Sequence, residues 1–230
     1  MFQFHNILVI AAHPDDEILG LGATISRLTK EGNTANVVIL GEGLTSRKNS
    51  RTETTKSDLD KLKSQTLAAS HKVGYSNVEF ADLPDNRFDS VDLLDVIKIV
   101  QTYIERYQPD TIFTHHYGDL NIDHRITFDA VITACRPVNN YLVKHIICFE
   151  TPSSTEWNFK YGDSLFKPNL FIDVAGTLEQ KLSAMEEYLS ESTTFPHPRS
   201  EEALTIIAKR WGTVVGVNAA EAFEIIRSVL

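Results

Sequence analysis

The chain has 230 residues, 42% of them hydrophobic, enough to bury a core that needs no staples. Its 31 acidic and 22 basic side chains give a formal net charge of −9, which excludes a general electrostatic attraction to nucleic acid or anionic lipid. Only Cys135 and Cys148 are present, a pair suited to reduced core thiols, so any metal must be held by His and carboxylate.

The opening MFQFHNILVIAAHPDDE lacks a basic region ahead of its apolar run and reaches charge too early for a signal peptide. No apolar run approaches the roughly 18 residues of a spanning helix. A cytoplasmic location without membrane insertion is therefore expected. Residues 6–12 (NILVIAA) form a continuous apolar run, the pattern of a strand buried on both faces. Ile18, Leu19, Leu21, Ile25 and Leu28 then recur at helical spacing, predicting one helix that stops at Gly32. A strand over 35–40 completes a β-α-β unit. The alternation continues with a polar helix over 52–72, a strand over 78–81, a helix over 91–107, a strand over 110–114, a helix over 123–134 and a strand over 146–149.

Past Glu150 the stretch TPSSTEWNFKYGDSLFKPN is polar and turn-rich. A strand over 170–174 and a helix over 178–188 follow. The FPHPRS loop, braced by Pro196 and Pro198, introduces a last helical region ending near Ile226. With no internal repeat or linker, one domain over 1–230 is the simplest organisation, residues 151–230 being its substrate-shaping C-terminal part. Strands alternating with helices predict an α/β fold with a mostly parallel sheet, helices on both faces and a ligand site beyond the carboxyl ends of the strands.

Two polar clusters fall at such ends. The first strand runs into His13-Pro14-Asp15-Asp16-Glu17, an imidazole beside three carboxylates. Helix capping accounts for one or two of the acids but not for the His. His and carboxylate together suit zinc or a similar divalent ion, and a catalytic site typically needs three protein ligands and an open position. The strand over 110–114 leads into a second cluster, His115-His116-Tyr117-Gly118-Asp119-Leu120-Asn121-Ile122-Asp123-His124, which can supply the third. Gly20-Leu21-Gly22 lacks the third glycine of a dinucleotide fingerprint, and neither GxxxxGK[ST] nor GxSxG occurs. Arg47, Arg51, Asn86 and Arg87 are candidate contacts for substrate hydroxyls or phosphate, and Asn121 joins them as a polar group on the second loop.

AHPDDE followed by GDLNIDHR, with DLPDNRFD and HPRS besides, resembles the PIG-L/LmbE family of zinc-dependent N-acetylglucosamine deacetylases. The resemblance implies a Rossmann-like three-layer fold binding one zinc ion through His13, Asp16 and His124, with Asp15 as general base. It implies an N-deacetylase acting on an amino sugar or its conjugate, free, glycosidic or nucleotide-linked; an amidohydrolase on a non-sugar amide and a non-catalytic sugar- or nucleotide-binding protein are the competing readings. Partners are then a small amino-sugar substrate and no nucleic acid, with self-association into a homo-oligomer left open. Glu17 is expected to orient the loop or its ligands, and Asp123 to serve His124 or cap its helix. Many members carry a His where this chain has Asn121, and Asn supplies no titrating proton. Another imidazole is expected to substitute, His197 first and His116 second.

Overall fold

The computed structural model describes residues 4–45, 54–138, 142–159, 162–189 and 193–230; Arg47 and Arg51 lie outside them. Among the described residues seven strands form one sheet: β1 (Asn6–Ala11), β2 (Thr34–Gly41), β3 (Asn77–Leu83), β4 (Thr111–His115), β5 (His145–Phe149), β6 (Leu170–Asp173) and β7 (Ala220–Ser228). Their order is β3-β2-β1-β4-β5-β7-β6. The first five pair in parallel, and β7 runs antiparallel to both β5 and β6. The helices are α1 (Asp16–Leu19), α2 (Gly22–Lys30), α3 (Lys56–Val73), α4 (Leu93–Tyr107), α5 (Ile122–Ala134), α6 (Leu178–Met185) and α7 (Glu201–Val215).

The apolar run of β1 serves two cores because successive side chains leave a strand on opposite faces. Ile7, Val9 and Ala11 pack with Ile18, Ile25 and Leu182 on one side. Leu8, Ile10 and Ala12 pack with Val96, Val100 and Val131 on the other. The sheet is thus covered on both faces, the arrangement expected for buried parallel strands. Among the described residues no helix is long and apolar enough to cross a membrane.

Two expectations are corrected. The single helix expected up to Gly32 is two, parted where Leu21 leaves helical geometry at φ −152°; beside it, Gly20 lets β5 approach closely, since a Cβ there would lie 2.3 Å from the Phe149 ring. The buried Lys181–Glu221 pair serves the polar groups freed by that break. Lys181 Nζ donates to the Leu19 carbonyl at 2.6 Å, and Glu221 accepts from the Thr24 amide at 2.7 Å. The last helical region, expected to end near Ile226, stops at Val215, where Gly216 takes the left-handed conformation at φ 80°. The Ala- and Glu-rich AEAFEIIRS that follows is β7, placed between β5 and β6, so tertiary pairing overrides helix propensity.

Candidate metal centre and active-site cleft

The strand order reverses between β1 and β4, and the crevice beyond their carboxyl ends is where a doubly wound sheet holds its ligand. Both polar clusters open there. From the loop after β1, His13 Nδ1 lies 3.4 Å from Asp16 Oδ2. From the first turn of α5, His124 Nε2 lies 3.3 Å from the same oxygen. Ligand bonds of about 2.0–2.1 Å in a tetrahedral site put neighbouring donors about 3.3–3.4 Å apart, so these atoms are spaced as ligands of one ion. His13, Asp16 and His124 indeed form a three-residue group whose donor atoms lie within 4.8 Å of one another. The buried Asp16 Oδ1 has no hydrogen-bond partner among the described residues.

The electrostatics agree with that donor set. Burial opposes charge on His13, yet the hydrogen bonds it donates to the Asp123 and Asp16 carboxylates hold its pKa up at about 10. Burial likewise opposes charge on His124, and Asp16 with Asp119 holds it up at about 9. Carboxylates in excess over cations thus demand positive charge at this point, which a divalent ion can supply. The residues present fit such an ion.

Each imidazole is aimed by a carboxylate on its other nitrogen, the arrangement that fixes tautomer and ring orientation in metal sites. His13 Nε2 meets Asp123 Oδ2 at 2.9 Å and Asp85 Oδ1 at 3.4 Å. His124 Nδ1 faces Asp119 Oδ1 at 3.2 Å, and the charge of His124 holds Asp119 well below the usual carboxylate range against its burial. The role expected of Asp123 is therefore corrected: it serves His13, not His124, because neighbours one apart on a helix do not face each other. Nor does it cap α5. Asn121 does, accepting from the Asp123 amide at 2.8 Å, while Asp123 Oδ1 accepts from the Phe88 amide at 2.9 Å.

Asp15 sits between the ligand residues in the left-handed region, at φ 95°, a conformation that costs a non-glycine residue about 1–3 kcal/mol. Glu17 accepts from the Asp15 amide at 3.0 Å and from the Tyr188 hydroxyl. Burial pushes the Glu17 carboxyl up to about 8. The Asp15 carboxylate faces the cleft and is paired with the Arg199 guanidinium at 2.5 Å. Arg199 also donates from Nε to Ser153 Oγ at 2.8 Å, tying the late loop to the loop after β5.

The cleft is small, about 120 Å³, and takes its walls from His13, Asp15, His124, Asn86, Asn121 and Arg199 among others. Asn121 Nδ2 donates to Asn86 Oδ1 at 2.8 Å, so these two expected substrate contacts form one polar rim. The other candidates are not brought together with them. Arg87 is exposed and does not line the cleft. His116 is turned away: its Nε2 donates to the Ser164 carbonyl at 3.0 Å and its Nδ1 faces Glu224 at 3.3 Å. Strand alternation is the reason, since His115, the last residue of β4, points toward the site and the next side chain leaves on the opposite side. His115 stacks on His124 at 3.9 Å between centroids and accepts from the Ala12 amide at 2.8 Å. Burial, aided by the charge on His124, pushes it down to about 3, so it is a neutral support. His197 spends Nδ1 as acceptor for the Arg199 amide at 3.2 Å and does not line the cleft. The residue that reaches the cleft from that loop is Arg199. Asp85, Asp119 and Arg199 all stand within the quoted motifs, but no sequence signal ranks them above their neighbours.

A doubly wound α/β sheet with a His–Asp–His donor set at its switch point defines the class: an α/β protein with a candidate divalent-metal centre. The chain belongs to the PIG-L family, described as GlcNAc-PI de-N-acetylase, which it matches over residues 8–135. It is 25% identical over 233 residues to the diacetylchitobiose deacetylase of Thermococcus kodakarensis, covering 97% of this chain and 84% of that one. Among solved structures, the N,N'-diacetylchitobiose deacetylase of Pyrococcus horikoshii superposes with a TM-score of 0.76 at 20% identity, over 98% of this chain and 85% of that one. The 4-carboxy-2-hydroxymuconate hydratase GalB of Pseudomonas putida KT2440 does so at 0.74 and 21%, over 98% of each chain, which shows that the fold is shared with a different chemistry. Deacetylases of this family are metal-dependent.

Proposed function

We propose that the chain is a zinc-dependent hydrolase that removes the N-acetyl group from an N-acetylated amino sugar or its conjugate, with His13, Asp16 and His124 as ligands and Asp15 as general base. One observation carries the reading: a ligand-spaced His13–Asp16–His124 triangle with a second carboxylate, Asp15, held beside it and facing the same cleft. A bound divalent ion would supply Lewis acidity, lowering the pKa of water toward 7 and polarising an amide carbonyl. In this reading Asp15 takes the proton released as water attacks the acetyl carbon and returns it to the leaving amine. Arg199 fixes the Asp15 carboxylate in direction and brings a permanent cation to the wall where oxyanion charge develops. That assignment answers the missing imidazole at position 121 with a group that does not titrate. Asn86 and Asn121 offer amide donors and acceptors to sugar hydroxyls at the rim.

The test is acetate release from a set of N-acetylglucosaminyl conjugates, with the protein as isolated, after chelation, and after restoring zinc. Release that stops on chelation and returns with zinc is expected. Undiminished release from fully chelated protein would refute the metal role, and cleavage confined to non-sugar amides would replace the sugar substrate.

A further inference from the structure

We infer that a groove beside the metal cleft, formed by Glu150, α7 and the loop over 151–158, is a separate binding site for a neutral pyranose unit. Its volume is about 400 Å³, within the range of small-molecule pockets. Ser153 and Ser154 of that loop face the metal cleft, whereas Pro152, Thr155, Glu156 and Asn158 face the groove. The loop is thus a wall with a site on either side.

The lining decides among occupants. Phe166 stands edge-on to Trp211 at 6.4 Å between centroids, and Ile207 completes an apolar side. Trp211 is locked in place: its indole N–H donates to Glu150 Oε1, and the Arg210 guanidinium lies 3.9 Å from its ring centroid. The Glu150 carboxylate, beside the indole, and the polar side chains of Thr155 and Asn158 complete the lining. An acyl chain would cover Glu150 without offering it a hydrogen bond, an unfavourable burial. An anion would meet two carboxylates, Glu150 and Glu156, against the single guanidinium of Arg210. A neutral pyranose satisfies both sides, presenting its C–H face to Phe166 and Trp211 and its hydroxyl donors to Glu150.

Occupancy would be felt at the metal centre. Thr155 Oγ1 donates to Asp119 Oδ2 at 2.7 Å and Ser154 Oγ to Asp119 Oδ1, and Asp119 in turn faces His124. The site itself does not depend on the deacetylase reading, since none of its groups belongs to the cleft.

The chain has two tryptophans, Trp157 and Trp211, so a Trp157→Phe background leaves Trp211 as the only indole. Cellobiose, a neutral disaccharide with no amide to hydrolyse, is titrated against its fluorescence. A saturable change is expected, weakened about tenfold or more by Glu150→Gln, which keeps an acceptor for the indole but loses the charge. Ile207→Arg, which fills the groove from α7, is expected to abolish it. No saturable change up to the solubility limit would overturn the proposal. So would equal affinity in both variants, or a groove-bound anilinonaphthalene sulfonate that cellobiose fails to displace.

Discussion

Replacing Asp123 by Asn separates ligand orientation from ligand chemistry, because Asp123 touches His13 only through the nitrogen that faces away from Asp16. In the wild type His13 Nε2 lies 2.9 Å from Asp123 Oδ2. Loss of such an outer carboxylate typically weakens metal binding by about 10–100-fold. Asp85 remains 3.4 Å from the same nitrogen, and an Asn carbonyl can still accept one hydrogen bond, so the lower end is expected. A rise of about tenfold in zinc Kd corresponds to about 1.4 kcal/mol. Asp123→Ala goes further, leaving His13 Nε2 with only Asp85 at 3.4 Å and stranding the buried Phe88 amide that donates to Asp123 Oδ1. At about 1–3 kcal/mol for an unsatisfied buried donor, this removes a sizeable part of a total that is only about 5–15 kcal/mol. Competition with a chromophoric chelator measures the Kd, and thermal melting of the metal-free protein separates the two costs. An Asp123→Asn protein with wild-type zinc Kd would refute the claim that this carboxylate aims His13.

Four further outcomes follow from the same geometry. Asp15→Asn is expected to retain zinc by elemental analysis while kcat falls about 10²–10⁴-fold, the range for a lost general base; a metal-free variant would make Asp15 a ligand instead. Arg199→Ala is expected to lower kcat with zinc retained, and Arg199→Lys to recover part of the loss, since an ammonium keeps the charge but not the planar fork; unchanged kcat in Arg199→Ala would remove it from the site. His197→Ala is expected to change kcat little, because its ring does not line the cleft; a loss on the scale of an oxyanion donor, about a hundredfold, would put it back in the mechanism. Gly20→Ala places a Cβ 2.3 Å from the Phe149 ring, and a strain of about 2 kcal/mol would lower Tm by about 4–8 °C; an unchanged melting curve would mean that β5 yields without cost.

The parts legible in the sequence are those where the signal is local. The apolar run of β1, the periodic helices and the two strand-end clusters each announce themselves within a few residues, and strand and helix periods are properties of the backbone alone. The doubly wound sheet and the His13, Asp15, Asp16 and His124 constellation could therefore be read without coordinates, the constellation with the aid of the family resemblance. Tertiary structure decided what depends on direction. His115 and His116 are identical neighbours, and only the pleat of β4 sends one toward the site and the other to Ser164. Asp119 and Asp123 flank the same α5 start, yet the fold gives the first to His124 and the second to His13. His197 and Arg199 are two residues apart, and the path of their loop brings only the guanidinium to Asp15. The segment AEAFEIIRS carries helix-forming residues into a strand, because the slot between β5 and β6 offers backbone partners on both sides. In each case the residue types are compatible with either role, and the choice rests on side-chain direction and, for Asp123 with His13 or Arg199 with Asp15, on contacts between positions far apart in the chain, which no local propensity records.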